Sequence, residues 1–196
     1  YCVRTVENST NYSYRSPNKD DIEAIDRARE RINSDFEMST ILSTEIPSGQ
    51  KTDEIRRYGF KQWRDLFSPR QLITHYEYLR AVREAKPDIE SKYDQKRAEA
   101  ILTLLTLSCS KCIDRNSRLT DWDTNWGYPS RLFKGKNYSV KRVFVDNNLS
   151  VGAMGFESQI ERIVDSYEKL RSYLPENTEP AGITNLDAAK LPYDRG

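Results

Sequence analysis

The chain has 196 residues and a mass of 22.9 kDa, which suits one compact domain or one domain with extended flanks. Its formal net charge of +1 excludes a bulk polycation, so any contact with nucleic acid must come from local clusters of basic residues. No apolar run is long enough to span a membrane, and no signal-peptide pattern occurs. Three cysteines form no even disulfide framework, which favours a reducing, intracellular setting, and we expect a cytoplasmic protein without membrane contact.

The first part of the chain predicts one helix between irregular segments. Residues 1–17 are polar and tyrosine-rich, and they indicate an irregular or short β lead-in. A helix follows, because Asn18 is a suitable N-cap with Asp21 three residues later, and its isoleucines form a narrow apolar stripe. Residues 33–52 are typical of a connector, with helix breakers at Pro47 and Gly49.

The second predicted helix has the clearest start in the sequence. Ser68 is its N-cap, Pro69 occupies the first helical position, and Gln71 closes a capping box. Pro87 is expected to end this helix, because proline removes a backbone donor and clashes with the preceding turn.

Two more helices are predicted, with a long segment between them. The third, Tyr93 to Asp114, contains AILTLLTLSC, which is apolar nearly all round and is therefore expected at the centre of the core. The fourth runs from Phe156 to Leu174 with one apolar register. The intervening segment is aromatic and basic, with one strand candidate at Val140–Val145. A loop of this length inside a compact domain is usually functional or partly disordered.

The cysteines and the single histidine do not complete a metal or catalytic motif. Cys109 and Cys112 have a metal-type spacing, but a structural zinc site needs four ligands, and Cys2 and His75 are distant in sequence. We therefore interpret Cys109 and Cys112 as buried structural cysteines and expect no metal. His75 is interpreted as a packed or surface histidine rather than a base.

Three polar clusters remain as candidate binding surfaces. One places five basic residues around three aromatic side chains, a mixture suited to phosphate contact and base stacking, although a solvated helix face is the simpler alternative: Arg56, Arg57, Lys61, Arg64 and Arg70 around Tyr58, Phe60 and Trp63. The second is the helix start at Ser68-Pro69, where free amides and the helix dipole favour an anion, although most such starts are only caps. The third includes Arg118 and Trp122 in the stretch DRNSRLTDWD, which could form a salt-bridged lid or line a cleft.

The order of four sequence features resembles a known family. YGFKQWRDLFSPRQL, DRNSRLTDWD, an amphipathic helix and NLDAAKLPY occur in the order seen in prokaryotic adenine-specific DNA methylases that contain a zinc ribbon. In that family a glycine-rich cofactor loop and the ribbon come first, and a catalytic D-P-P-Y motif follows the last segment. The resemblance covers about residue 19 to the last residue. It implies transfer of a methyl group from S-adenosylmethionine to the exocyclic amine of adenine in DNA, with the base taken out of the duplex.

The resemblance also implies a site and an organisation. Phe67, Ser68 and Pro69 match the element that receives the methionine end of the cofactor, and Asp187 matches the acidic position that binds its adenine. We expect a mainly α chain with minor β structure, a helical segment attached to a Rossmann-like α/β methyltransferase sheet. Residues 1–52 are then a lead-in, first helix and linker after a zinc ribbon of which Cys2 is a remnant, 53–175 a helical domain, and 176–196 the first strand and loop of the methyltransferase core.

The chain departs from the family pattern in two central elements. It has neither the glycine-rich loop nor D-P-P-Y, and Asn185-Leu186-Asp187-Ala188 stands where the family has G-D-A. We therefore expect a middle section of a longer enzyme that has no catalytic residue and no activity alone. DNA and restriction or defence proteins are the expected partners. The alternatives are a non-catalytic helical DNA-binding module and a structural or partner-docking module.

Overall fold

The computed structural model describes residues 2–6, 12–35, 38, 43–132, 138, 140, 143–152, 154–175 and 178. The described residues form five α-helices, one 3-10 helix and two antiparallel pairs of strands. In chain order the elements are β1 Val3–Val6, β2 Tyr12–Arg15, α1 Lys19–Ser34, α2 Thr52–Arg56, the 3-10 helix Trp63–Leu66, α3 Pro69–Lys92, α4 Gln95–Ile113, β3 Trp122–Asp123, β4 Tyr128–Pro129 and α5 Phe156–Tyr173.

The predicted class is confirmed at its coarser level, because the described chain is mainly helical with two small two-stranded sheets. Within those residues there is no Rossmann-type sheet, and the strand expected just before Asp187 lies outside them. The chain divides into two units, Tyr1–Ile163 and Val164–Gly196. None of the described helices combines the length and apolarity needed to cross a bilayer.

The N-terminal part of the chain confirms two predictions. The lead-in was expected to be irregular or to form short β structure, and it forms the latter, since β1 and β2 pair in antiparallel register. Asn18 caps α1 through a capping box: the Asp21 N–H donates to Asn18 Oδ1 at 3.0 Å, and the Asn18 N–H donates to Asp21 Oδ2 at 2.8 Å. Helix α1 then packs on α3, where Arg31 and Glu77 form an ion pair at 2.6 Å.

Helix α3 starts as predicted but does not end as predicted. Ser68 Oγ accepts from the Gln71 N–H at 3.2 Å, and the Gln71 side chain accepts from the Ser68 N–H at 2.8 Å. The expectation that Pro87 ends the helix is wrong, because α3 continues to Lys92 with the proline inside it. Pro87 lies on an exposed part of the helix, where water can replace one missing intrahelical donor.

The expectation that AILTLLTLSC lies at the centre of the core is also wrong. Helix α4 packs on α3, but its buried residues are Ala98, Ser108, Cys109 and Cys112, and Leu107 is 51% exposed. The main cluster of buried apolar side chains instead lies around α2, the 3-10 helix and the turn after α4: Ile46, Ile55, Phe60, Leu66 and Leu119. A composition that is apolar all round therefore identified the packed helix without identifying its buried face.

The strand predicted at Val140–Val145 does not form in the described residues of that range. Its hydrogen bonds go elsewhere: the Val145 N–H donates to the Thr120 carbonyl at 3.2 Å, and the Val145 carbonyl accepts from Gln71 Nε2 at 2.8 Å. Val143 is 81% exposed. The backbone of Val145 is thus bonded to a loop and to a side chain, and not to a partner strand.

The cap of α3 provides a test of helix stability. We expect Ser68→Ala to lower the free energy of unfolding by about 1 kcal/mol, because the Gln71 N–H loses its acceptor. The matched control is Ser91→Ala near the other end of α3, where the exposed hydroxyl donates to the Asp88 carbonyl, with a change within about 0.5 kcal/mol. Urea unfolding of the three proteins is the measurement, and equal midpoints would contradict the capping role.

Candidate functional site

The turn after α4 is a polar segment buried inside the protein. Asn116, Ser117 and Thr120 have no exposed surface, and Asp114 is 8% exposed. The turn satisfies many of its own polar groups: Thr120 Oγ1 donates to the Ser117 carbonyl at 2.7 Å, and Ser117 Oγ accepts from the Leu119 N–H at 3.2 Å. Burial of these polar atoms is tolerated because most of them are hydrogen-bonded, and the exception is Asn116 Nδ2, which has no partner in the described chain. The motif DRNSRLT is therefore held as a fixed structural unit.

Asn116 connects this turn to two other parts of the chain. Its side-chain oxygen accepts from the Asn147 N–H at 2.9 Å and from Gln71 Nε2 at 3.3 Å. Its backbone carbonyl lies 2.9 Å from His75 Nε2. Helix α3, the turn and the loop around Asn147 thus meet at one residue, which we call the Asn116 junction.

His75 is part of the junction as a neutral side chain. A carbonyl can only accept, so the contact with Asn116 requires the hydrogen on Nε2. Burial lowers the pKa of His75, and the hydrogen bond to Asn116 opposes that change. Phe67 meets the ring edge-on at 5.4 Å between centroids. The interpretation of His75 as a packed histidine is confirmed.

Tyr78 makes a second link between helices. Its hydroxyl is hydrogen-bonded to Ser108 Oγ on α4, and Ser108 Oγ also donates to the Leu105 carbonyl at 2.7 Å. Its ring stacks on Phe156 at the start of α5, with centroids 4.0 Å apart and 4° between the planes. Burial raises the pKa of Tyr78, so the hydroxyl stays protonated at neutral pH.

The predicted cofactor-binding helix start is already partly used by the protein itself. Pro69 has no N–H, and the Gln71 N–H is bonded to Ser68. Ser68 Oγ donates to Asp146 Oδ2 at 3.3 Å, and Arg70 lies 3.7 Å from the same oxygen. Burial raises the pKa of Asp146, while Arg70 and Ser68 act in the opposite direction. The Asp146 carboxylate of the chain itself therefore lies where the methionine carboxylate of the cofactor was expected.

Three of the basic residues predicted to contact DNA have structural partners. Arg56 donates to the Ile46 carbonyl at 2.6 Å, and Arg70 pairs with Asp146. Arg118 donates to the Asp65 carbonyl at 3.1 Å and lies over the ring of Phe60 at 4.9 Å. These side chains hold segments of the chain together, so their charges are not fully available to a ligand.

The other three basic residues make no side-chain hydrogen bond or ion pair within the described chain: Arg57, Lys61 and Arg64. Arg57 and Lys61 are exposed, and Arg64 is half-buried. Tyr58 lies among them in sequence with 71% of its surface exposed, whereas Phe60 is buried and Trp63 packs on the core cluster. We call Arg57, Tyr58, Lys61 and Arg64 the basic surface.

The acidic residues next to the basic surface are engaged elsewhere. Asp65 Oδ2 accepts from the backbone N–H groups of Lys61 and Gln62, both at 2.8 Å. Glu54 pairs with Lys51 at 3.6 Å. These two carboxylates therefore form no ion pair with Arg57, Lys61 or Arg64, although Asp65 keeps its negative charge close to them in sequence.

Trp122 lies at the base of a small hairpin formed by β3 and β4. The guanidinium of Arg4 stacks over its ring at 4.8 Å from the centroid, and Arg4 Nη1 donates to the Gly127 carbonyl at 2.7 Å. Trp122 is half-buried, so it is a supporting residue more than an open contact. The exposed aromatic residue of the hairpin is Trp126, which sequence reasoning missed although the run DTNWG has the composition of a tight turn.

The cysteines lie as predicted on helix α4, with both thiols buried. Burial raises the pKa of Cys109, and it raises that of Cys112 to about 12. Both thiols are therefore protonated at neutral pH, unlike an activated cysteine nucleophile. Among the described residues no three His, Cys, Asp or Glu side chains come together as a metal site.

Asp187 and the rest of the segment NLDAAKLPY lie outside the described residues. Comparison of the chain with protein-family models, with curated proteins and with solved structures finds no match. The function of the chain is therefore inferred from its own residues.

The Asn116 junction gives a prediction for stability. We expect Asn116→Ala to lower the free energy of unfolding by about 2 kcal/mol or more, because the Asn147 N–H loses its acceptor and a cavity is left in a buried site. Asn125→Ala in the exposed hairpin turn is the control, with a change within about 0.5 kcal/mol. Urea unfolding measures both, and a similar small effect for both variants would contradict the junction's role.

His75 gives a prediction for pH dependence. Its pKa is lower in the folded than in the unfolded protein, so the unfolded state binds more protons as the solution is acidified. The stabilisation is present above the unfolded-state pKa of about 6.5 and is lost as the pH falls toward the folded-state value. Unfolding of the wild type and of His75→Gln between about pH 7.5 and about pH 5 should show a smaller loss for the variant. Parallel profiles would contradict this assignment.

Proposed function

We propose that the chain is part of an S-adenosylmethionine-dependent methyltransferase acting on the exocyclic amine of adenine in DNA. The role we assign to the described residues is binding the DNA backbone, not methyl transfer. The chemistry depends on a cofactor loop and an adenine-holding motif of the family type, neither of which occurs in the sequence. A Rossmann-like sheet, to which the helical part is attached, belongs to the same proposal.

The basic surface is the observation that supports DNA binding. Three cations without an ion pair in the described chain are close in sequence to an exposed tyrosine, and neither Glu54 nor Asp65 pairs with them. Such cationic side chains bind backbone phosphates, and an exposed aromatic ring can stack on a base or pack against a sugar. The Asn116 junction supports this role indirectly, since the turn that it fixes is bonded through the Arg118 N–H to the Leu66 carbonyl at 2.7 Å.

The cofactor assignment carries a structural condition. The Asp146 carboxylate lies at the start of α3, and only the Arg70 N–H is left among the first three helical positions. The methionine carboxylate of S-adenosylmethionine does not fit at Phe67-Ser68-Pro69 beside Asp146, because two carboxylates in one place repel each other. Binding there requires Asp146 to move away. We derive no catalytic step from this segment.

The DNA-binding role is tested by the salt dependence of affinity. Substituting Arg57, Lys61 or Arg64 by alanine should weaken binding to any duplex, because each substitution removes one charge that faces a phosphate. Each single variant should also lower the slope of log affinity against log salt by about 1. The measurement is fluorescence anisotropy of a labelled duplex titrated at several salt concentrations. Lys96→Ala on α4 is the matched control, since it removes an exposed charge outside the basic surface.

Two outcomes would contradict the proposal. If the three variants and the control give unshifted, parallel lines, the basic surface is only a solvated face. If the chain methylates adenine in DNA from labelled S-adenosylmethionine above a no-protein control, the expectation that it is inactive alone is wrong. A longer protein that contains this chain and binds DNA without methylating adenine would favour the alternative of a non-catalytic DNA-binding module.

A partner-docking role is the other alternative, and one observation favours it. The described residues of the second unit leave an apolar stripe exposed: Val164, Tyr167 and Leu170 on α5, and Leu174 directly after its end, are each between 48% and 65% exposed. Such a stripe usually packs on something in a folded protein. A change of oligomeric state on substitution of Leu170 by Glu, with DNA binding unaffected, would support that alternative.

A further inference from the structure

The hairpin of β3 and β4 presents a tryptophan at its turn. Trp126 is 72% exposed although it is one of the largest apolar side chains in the chain. A single exposed apolar residue is common on protein surfaces, so exposure alone does not assign a role to Trp126. What distinguishes Trp126 is the turn that carries it and the groups that lie next to it.

Several hydrogen bonds fix the backbone that carries Trp126. Asp123 Oδ1 accepts from the N–H of Asn125 at 3.1 Å and of Trp126 at 3.3 Å, and the Asp123 carbonyl accepts from the Gly127 N–H at 2.8 Å. Gly127 has φ of 66°, a conformation that glycine adopts without strain. The Asp123 side chain and a glycine in the left-handed region close the turn, so the backbone from which the indole projects has a defined conformation.

The indole also lies next to two other planar groups. Arg115 Nη1 donates to the Pro129 carbonyl at 2.7 Å, and its guanidinium lies over the ring of Tyr128 at 5.0 Å. The ring of Tyr128 is 6.3 Å from that of Trp126, with 31° between the planes. The guanidinium lies over the phenol and the indole is tilted beside it, and the indole is the exposed member of this group.

We propose that Trp126 stacks on an unpaired nucleobase of the bound DNA. This inference rests on the proposed DNA-binding function and deepens it. A nucleobase is itself a planar ring, and exposed aromatic side chains stack on every base without requiring a particular sequence. Inside a duplex both faces of a base are covered by its neighbours, so an unpaired base is the form that a protruding indole can reach. An enzyme that takes adenine out of the helix necessarily creates such bases.

The test compares two labelled duplexes of equal length, one fully paired and one with a single unpaired adenine. We expect the chain to bind the second duplex more tightly and Trp126→Ala to reduce this preference at least about fivefold. Trp126→Phe keeps a ring and should keep most of the preference. Tyr173→Ala, which removes another highly exposed aromatic side chain, is the control and should leave the preference unchanged. Anisotropy gives the affinities, and circular dichroism checks that each variant is folded.

A second measurement does not require an alanine variant. Stacking of the indole on a base should quench tryptophan emission of the wild type when the duplex with the unpaired adenine is added. Because Trp63 and Trp122 are half-buried, most of this quenching should disappear in Trp126→Phe. Equal quenching in both proteins would overturn the proposal.

The outcomes separate this inference from the function on which it rests. If Trp126→Ala keeps the full preference while the basic-surface variants each lower the slope of log affinity against log salt, the inference is wrong and the DNA-binding proposal stands. If Trp126→Ala weakens binding equally for both duplexes, the indole contacts ordinary duplex and the inference is again wrong. If neither duplex binds, both proposals fail.

Discussion

The amide of one buried asparagine holds the described part of the first unit together. Asn116 Oδ1 accepts hydrogen bonds from α3 through Gln71 and from the loop through the Asn147 N–H, and its carbonyl accepts from His75. None of these segments is adjacent in sequence, so the junction does what a continuous hydrophobic core does in a larger domain. With few large apolar side chains fully buried, directional polar contacts decide which segments meet. Such a design has a cost wherever a buried polar group lacks a partner, and in the described chain Asn116 Nδ2 and His75 Nδ1 are two such groups.

The elements that the sequence predicted correctly are the ones specified by neighbouring residues. A capping box depends on residues three positions apart, so Asn18 with Asp21 and Ser68 with Gln71 could be identified without knowledge of the fold. The end of α3 could not be predicted in this way. Whether Pro87 breaks a helix depends on whether water or another group can satisfy the carbonyl that loses its N–H partner, and that depends on the exposure of the site. The exposed face of α4 depends on which neighbours pack against it, and that is a property of the fold.

The candidate site shows the same division. Sequence reasoning identified a basic stretch at residues 56–64, but the charges that are open to a ligand could not be separated from those that hold the chain together. Arg56 and Arg118 reach backbone carbonyls that only the tertiary structure brings near them. The carboxylate of Asp146 at the start of α3 comes from a residue 78 positions away from Ser68, so no local pattern could have predicted it. Trp126 was overlooked because its importance lies in exposure, which sequence does not record.

The long run of helix α3 past its proline has a consequence for how the protein opens. From about Arg83 onward α3 is mostly exposed, and so is the first turn of α4, so the two helices form a hairpin whose end has little buried surface. Pro87 removes one backbone hydrogen bond in that same region. The end of the hairpin should therefore unfold and refold as a local unit while the Asn116 junction stays closed, and its amide hydrogens should exchange with solvent far sooner than those near Gln71 and His75. Helix content and cooperative stability are thus separate properties in this chain.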